Sequence, residues 1–211
     1  MADLDVERIA AAALAVADER GARGFTMRAV AEALGVSPMS LYHHVADKAA
    51  LAALVVDAAM SERPLPAPTG DWREDMWQLA RWTREMTLAH PVVGHLRNQH
   101  KVWTQSMLGV SERWVSLWQQ TGLPLELAVR AAVTSSLAVL GAVDEEARLA
   151  HMDVPDDSLL NWMPNARLLL TTRHDPAANF ELLVRSVIDG LHARLAEEDA
   201  RAARAPKRAR R

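Results

Sequence analysis

Apolar residues recur at three- and four-residue steps through most of the chain, beginning with Val6, Ile9, Ala10, Ala13 and Ala17. That period marks the one-sided stripe of a helix, predicted from about Leu4 to Glu19. Arg20-Gly21 closes it, with Gly24 close behind, because glycine takes the left-handed conformation at a helix end. Thr26 is an N-cap for a second helix, Met27 to Leu34, which Gly35 stops. Ser37 caps a third, with Pro38 at its first position, carrying Met39-Ser40-Leu41-Tyr42-His43-His44-Val45. Asp47 caps a fourth, Lys48 to about Ser61.

The segment Arg63 to Gly70 then holds three prolines and a glycine in eight residues and reads as a linker. Beyond it the helices lengthen. Trp72, Met76, Leu79, Thr83 and Met86 line a helix that stops near His90-Pro91, and Trp103, Met107, Val110, Trp114, Leu117 and Trp118 line another, ended by Thr121-Gly122. Pro124 opens a helix to about Gly141 that is rich in small residues: Ala128, Ala131, Ala132, Ser135, Ala138 and Ala142. An acidic, loop-like stretch follows from Asp144 to about Asp157. Asp175-Pro176 then opens a helix to Leu195, with Phe180, Leu183, Val184, Val187, Leu191 and Leu195 on one face. No segment alternates strictly between apolar and polar residues, as a half-buried strand would, so the fold expected is all-α. Three parts are expected: residues 1–62, a small helical domain; 71–198, a larger helical domain; and 199–211, a basic disordered tail.

Composition narrows the chemistry. The 211 residues include no cysteine, which excludes a disulfide framework, a thiolate metal site and a cysteine nucleophile. Half the residues are hydrophobic and the formal net charge is only −3, which excludes disorder throughout. The N-terminus shows no basic-then-apolar signal pattern, and Ala10 to Val16 is too short to span a bilayer. A cytoplasmic protein with no membrane partner is expected.

The span from Thr26 to Lys48 carries the function. Two short helices joined at Gly35 make a helix-turn-helix, whose second helix enters a DNA major groove. Val30, Leu34, Val36, Leu41 and Val45 would fix the angle between the helices. Ser37, Ser40, Tyr42, His43 and His44 would face outward, short enough to approach base edges or able to reach phosphate oxygens. Residues 1–60 carry five basic and eight acidic groups, so bulk charge does not favour phosphate. Between Arg20 and Lys48 the balance is four basic to two acidic, and any positive patch is local.

Phe25 to Ser37, Leu41-Tyr42-His43-His44-Val45 and Lys48-Ala49-Ala50-Leu51 together resemble the N-terminal domain of TetR-family regulators over roughly residues 5 to 56. The second part is more weakly similar to the tetracycline-repressor branch, through Trp72 to His90 and Ile188-Asp189-Gly190-Leu191. The resemblance implies that Thr26, Met27 and Arg28 touch phosphate or a base edge. It also implies that Ser37, Pro38, Met39 and Ser40 face the bases, and that Tyr42, His44 and Lys48 grip the backbone. Pro38 and Met39 depart from hydrogen-bonding readout, so contact there must be apolar, as against a thymine methyl.

Six of the seven tryptophans lie between Trp72 and Trp118. They are either ordinary core or the lining of a cavity formed by Met76, Trp82, Thr83, Met86, Trp103, Met107, Trp114 and Trp118. Such a stripe is more often packing, and the resemblance raises the option of the cavity, for a small apolar or aromatic effector. His90, His95, His100 and His151 invite a metal reading, but five-residue steps turn about 500° and scatter the first three around a helix. They are expected to be surface or capping residues, with no metal and no cofactor. The small-residue helix and the Asp175 helix would pack with their copies into a four-helix homodimer interface, or form intrachain core. The expectation is a homodimeric repressor that binds a palindromic double-stranded operator and releases it on binding a small molecule. An activator, or an architectural DNA-binding protein without an effector, shares these features. No nucleophile motif, phosphate loop or metal signature supports an enzyme.

Overall fold

The computed structural model describes residues 4–150, 152–153, 156–172 and 174–204, and every regular element among them is helical. α1 (Val6–Gly24), α2 (Met27–Leu34), α3 (Pro38–Tyr42) and α4 (Lys48–Ser61) lead into α5 (Trp72–Ala89), α6 (Pro91–His100) and α7 (Gln105–Gln119). α8 (Leu125–Leu149), α9 (Asp157–Leu160), α10 (Pro164–Thr171) and α11 (Pro176–Arg204) complete the chain.

The first four helices start where the capping side chains stand. Asp5 accepts from the Arg8 amide at 2.8 Å, Thr26 from Ala29 at 3.1 Å, Ser37 from Ser40 at 3.1 Å and Asp47 from Ala50 at 2.8 Å. Each cap satisfies an amide that the helix cannot, and stabilises it by about 1 kcal/mol. Gly35 closes α2 in the left-handed region, at φ 69°. Gly21 also has positive φ, 65°, but here it kinks α1, and a further turn continues to Gly24.

α9 and α10 fall where no helix was expected, and four further elements differ from expectation. α6 begins with Pro91 at its first turn, a start that the sequence stripe does not reveal. α7 begins at Gln105 because Thr104 caps it, accepting from the Met107 amide at 3.3 Å, so Trp103 stands outside the helix. α8 runs through Gly141 to Leu149 instead of giving way to a loop, and Arg148 pairs with Glu145 one turn back. α11 continues to Arg204, so residues 199–204 are helical rather than a disordered tail, with Arg201 reaching Glu197 at 3.3 Å. Residues 205–211 lie outside the described residues.

By packing, one compact unit ends at Gln120 and a second begins at Thr121. In the first, α1 packs on α2, α4 and α6, while α4 also packs on α6 and α7, and α5 on α6 and α7. Ile9, Ala13, Ala17, Phe25, Val30, Leu41, Leu51 and Val55 are buried there. The proline-rich segment changes composition without interrupting this packing. Trp82 donates its indole N–H to the Arg63 carbonyl at 3.1 Å, and Arg63 pairs with Glu85 at 2.8 Å. Thr69 donates both its amide and its hydroxyl to Asp75, at 2.6 and 2.7 Å.

In the second unit α8 packs along α11. Ala128, Ala131, Ala132 and Ser135 are buried on α8, and Phe180, Val184, Ile188 and Leu195 on α11. Four of the six small residues named for an interface between copies or an intrachain core are thus buried within the unit, while Ala138 and Ala142 are partly exposed. A second α8 stripe, Leu125, Val129, Val133 and Leu137 at four-residue steps, is exposed. α8 is also long and apolar enough, by length and composition alone, to cross a membrane.

Asp75 is buried, at 2% exposure. Burial opposes its ionisation, but hydrogen bonds from Thr69 and Gly70 and the charge of Arg113 outweigh that and lower its pKa. A lowered folded-state value stabilises the fold above the unfolded carboxylate pKa, and that gain is lost as pH falls through the folded value. Asp75→Ala should therefore cost about 2 kcal/mol in urea unfolding at pH 7. The deficit should shrink as pH falls below about 4.

Candidate nucleic-acid interface

α2, Gly35 and α3 form the helix-turn-helix, and its inner side is apolar. Val30, Leu41 and Val45 are buried, with Leu34 and Val36 partly so. That leaves Thr26, Arg28, Ser37, Pro38, Met39, Tyr42, His43 and His44 exposed, and Ser40 and Lys48 partly exposed. The side chains expected to face DNA therefore share the outer surface of the motif, with one exception. Met27 is only 8% exposed, so its side chain belongs to the core rather than to this outer surface. Its place in the sequence, directly after a cap, did not distinguish an outward from an inward side chain.

Local bonds preset this surface. The Ser37 and Ser40 hydroxyls lie 2.9 Å apart, which couples the cap to the first turn of α3. The Lys48 ammonium stands 5.6 Å from the centre of the Phe25 ring, a cation–π distance that holds it beside the start of α2. The first amides of an eight-residue helix have no intrahelical partner, and in α2 these belong to Met27 and Arg28. Such amides, with the positive end of the helix dipole, suit a phosphate oxygen.

The residues expected to line a cavity fall on two packed helices, with one outlier. α5 carries Met76, Trp82, Thr83 and Met86 and packs on α7, which carries Met107, Trp114 and Trp118. Met76, Trp82, Trp114 and Trp118 are buried, while Thr83, Met86 and Met107 are partly exposed. Trp72 and Trp118 lie with ring centroids 6.2 Å apart, tilted by 41°. The Thr83 hydroxyl is already used within its helix, donating to the Leu79 carbonyl at 2.9 Å. Trp103 is 73% exposed and does not join the stripe assigned to it.

The histidines do not converge, and among the described residues no group of three or more metal-ligating side chains occurs. His151 lies outside those residues. His95 is exposed, whereas His100 is partly buried and its Nε2 has no hydrogen-bond partner. Burial lowers the His100 pKa, the nearby Lys48 charge lowers it further, and Asp47 partly offsets them.

His90 is the residue the sequence conceals. It stands between α5 and α6, is 8% exposed, and is neither a surface residue nor a side-chain cap. Its Nδ1 lies 2.7 Å from Asp18 of α1, and its Nε2 lies 3.0 Å from Glu62, the residue that ends α4. A histidine just before a helix-opening proline hinted at a junction. Its partners lie 72 and 28 residues away, so no local pattern could announce them.

Residues 9–55 match the family described as bacterial regulatory proteins, tetR family, and residues 64–195 match the tetracyclin repressor-like C-terminal domain. The chain is 31% identical over 141 residues to the HTH-type transcriptional repressor DrrR1 of Streptomyces coeruleorubidus, covering 66% of this chain and 52% of that protein. It thus spans about half the length of that relative. With the class A tetracycline repressor from transposon 1721 of Escherichia coli it shares 27% over 200 residues, 90% of this chain and 92% of that one. Apo ActR from Streptomyces coelicolor superposes with a TM-score of 0.75 at 28% identity, over 94% of this chain and 99% of that one. ActR has also been solved in complex with actinorhodin, at the same TM-score and identity, over 94% of this chain and 100% of that one. With both halves of the family matched, on a helix-turn-helix whose core and outward face are in place, the chain belongs to the tetR family of bacterial regulatory proteins.

Proposed function

We propose that the chain is a cytoplasmic, homodimeric repressor that holds a palindromic DNA operator through α2 and α3. It releases that operator when a small apolar or aromatic molecule binds at the α5–α7 pair. The observation that carries this is the outward face of the motif: Arg28, Ser37, Met39, Tyr42, His43 and His44 are exposed together over a buried Val30–Leu41–Val45 base. On this reading Arg28, Tyr42, His44 and Lys48 contact phosphates, with the first amides of α2 adding another anion site. Ser37, Pro38, Met39 and Ser40 meet base edges, where Met39 and Pro38 make apolar contact. Met27 contributes its backbone alone. Residues 1–62 serve DNA and 71–198 serve effector and dimer.

Dimerisation has its own support. Leu125, Val129, Val133 and Leu137 on α8, with Leu182 and Leu183 on α11, leave an exposed apolar surface. A second copy would bury it around a two-fold axis. One five-residue recognition helix reads few bases. Two of them about 34–36 Å apart would address successive major grooves. For the effector, the support is the tryptophan and methionine content of α5 and α7 and the complex of the related ActR with actinorhodin. An effector acts only through its different affinity for the two states of the dimer.

Tyr42→Ala should weaken binding to a duplex selected from random DNA by about tenfold, with unchanged helix content by circular dichroism. Unchanged affinity would remove Tyr42 from the interface. The doubly charged variant Val133→Glu/Leu137→Glu should sediment as a monomer at micromolar concentration where the unaltered chain is a dimer. A monomeric unaltered chain would contradict the proposed assembly. Titration with polycyclic aromatic compounds should quench tryptophan emission and release labelled duplex at the same concentrations. Quenching without release would leave the effector role unsupported.

A further inference from the structure

His90 is held in a way that only one of its protonation states satisfies. Both ring nitrogens face carboxylate oxygens, Nδ1 toward Asp18 and Nε2 toward Glu62, at 2.7 and 3.0 Å. An ionised carboxylate only accepts hydrogen bonds, and a neutral imidazole offers one N–H and one lone pair. Both bonds therefore require the imidazolium. In the neutral ring, one carboxylate would point at a lone pair.

The three groups come from three different parts of the unit. Asp18 is near the end of α1, Glu62 ends α4, and His90 joins α5 to α6. α1 and α4 are the helices on which the DNA-binding motif is mounted, since α1 packs on α2 and α4 begins with Lys48 beside Phe25. We propose that His90, as imidazolium, is the positioning residue that fastens the α1–α4 frame of the DNA-binding motif to the α5–α6 junction. Loss of its proton then loosens that frame and weakens operator binding. This rests on the DNA-binding role proposed above.

The surrounding charges support the assignment. From α1 the ring meets Asp18, and from the end of α4 it meets Glu62. The neighbouring Arg63 is occupied by Glu85 of α5, which Arg81 also approaches, and Arg20 of α1 lies beside Glu19 and Glu32. On α6, His95 is exposed and Arg97 bonds to Asn98. Burial disfavours the charged ring, but the bonds to Asp18 and Glu62, and then their charges, outweigh it and raise the His90 pKa. The Asp18 side chain is 32% exposed and Glu62 is 55% exposed, so Asp18 is the stronger partner and Glu62 the more solvent-screened one. Because the folded value is raised, the stabilisation is complete below the ordinary histidine value of about 6.5 and is lost as pH rises through the folded value.

Glu62→Gln isolates the device. An amide both donates and accepts, so a neutral ring could give Nδ1–H to Asp18 and take a hydrogen bond from Gln at Nε2. The experiment measures affinity for a duplex selected from random DNA at pH 6.5 and 8.5, for the unaltered chain and for Glu62→Gln. Contributions from His43 and His44 are common to both and cancel in the comparison. The expected result is a loss of affinity on raising the pH that is at least threefold larger in the unaltered chain. Equal losses in the two proteins, or a larger loss in the variant, would overturn the proposal. The ring titration of His90 is followed by proton NMR in the same samples, assigned with His90→Gln. It should lie above the ordinary histidine value and fall in Glu62→Gln. If neither protein retains any duplex, the DNA-binding reading fails, and the titration alone decides the clamp: a His90 value at or below the ordinary one would refute it.

Discussion

A helix of five residues does not hold together in water, so everything proposed for α3 depends on what pins it from below. The pin is Leu41, fully buried, with Val45 sealing the next turn. Gly35 makes the approach possible by turning the chain left-handed, and Ser37 fixes the first turn through its cap. With those three constraints met, α3 has one orientation, and its remaining side chains have nowhere to point but outward. The exposed face of Met39, Tyr42, His43 and His44 is thus a consequence of how one leucine is buried.

That chain of causes was legible because each link is local. A cap, a glycine and an apolar residue at helical spacing sit within a few residues of one another, and α2 and α4 occur with the bounds the sequence suggested. Legibility fades where tertiary packing decides. Met27 follows a cap just as an exposed residue would, yet it faces inward, because α2 needs Met27, Ala29, Val30 and Ala31 against its neighbours. α8 was expected to stop near Gly141, but a single glycine costs a helix only about 1 kcal/mol, and the residues after it favour continuing. Trp103 shares a period with the α7 stripe and still lies outside it, since the Thr104 cap sets where the helix begins.

His90 shows the same limit from the other side. Its chemistry was plain in the sequence, but its role depends on Asp18 and Glu62, which only folding brings to it. α4 is the element through which these facts meet. It starts beside Phe25 through Lys48, packs along α6 and α7, and ends in Glu62 at the His90 ring. Arg63 follows at once, tied to Trp82 and Glu85 of α5. Packing alone therefore connects the α5–α7 pair to the helix-turn-helix by way of α4.

Recognition of double-stranded DNA by the α2–α3 surface is put to the test by selecting bound duplexes from a random pool with the purified chain. One two-fold-symmetric sequence should be enriched, with half-sites centred about one helical turn apart. Failure to retain any duplex, even at low salt, would contradict it.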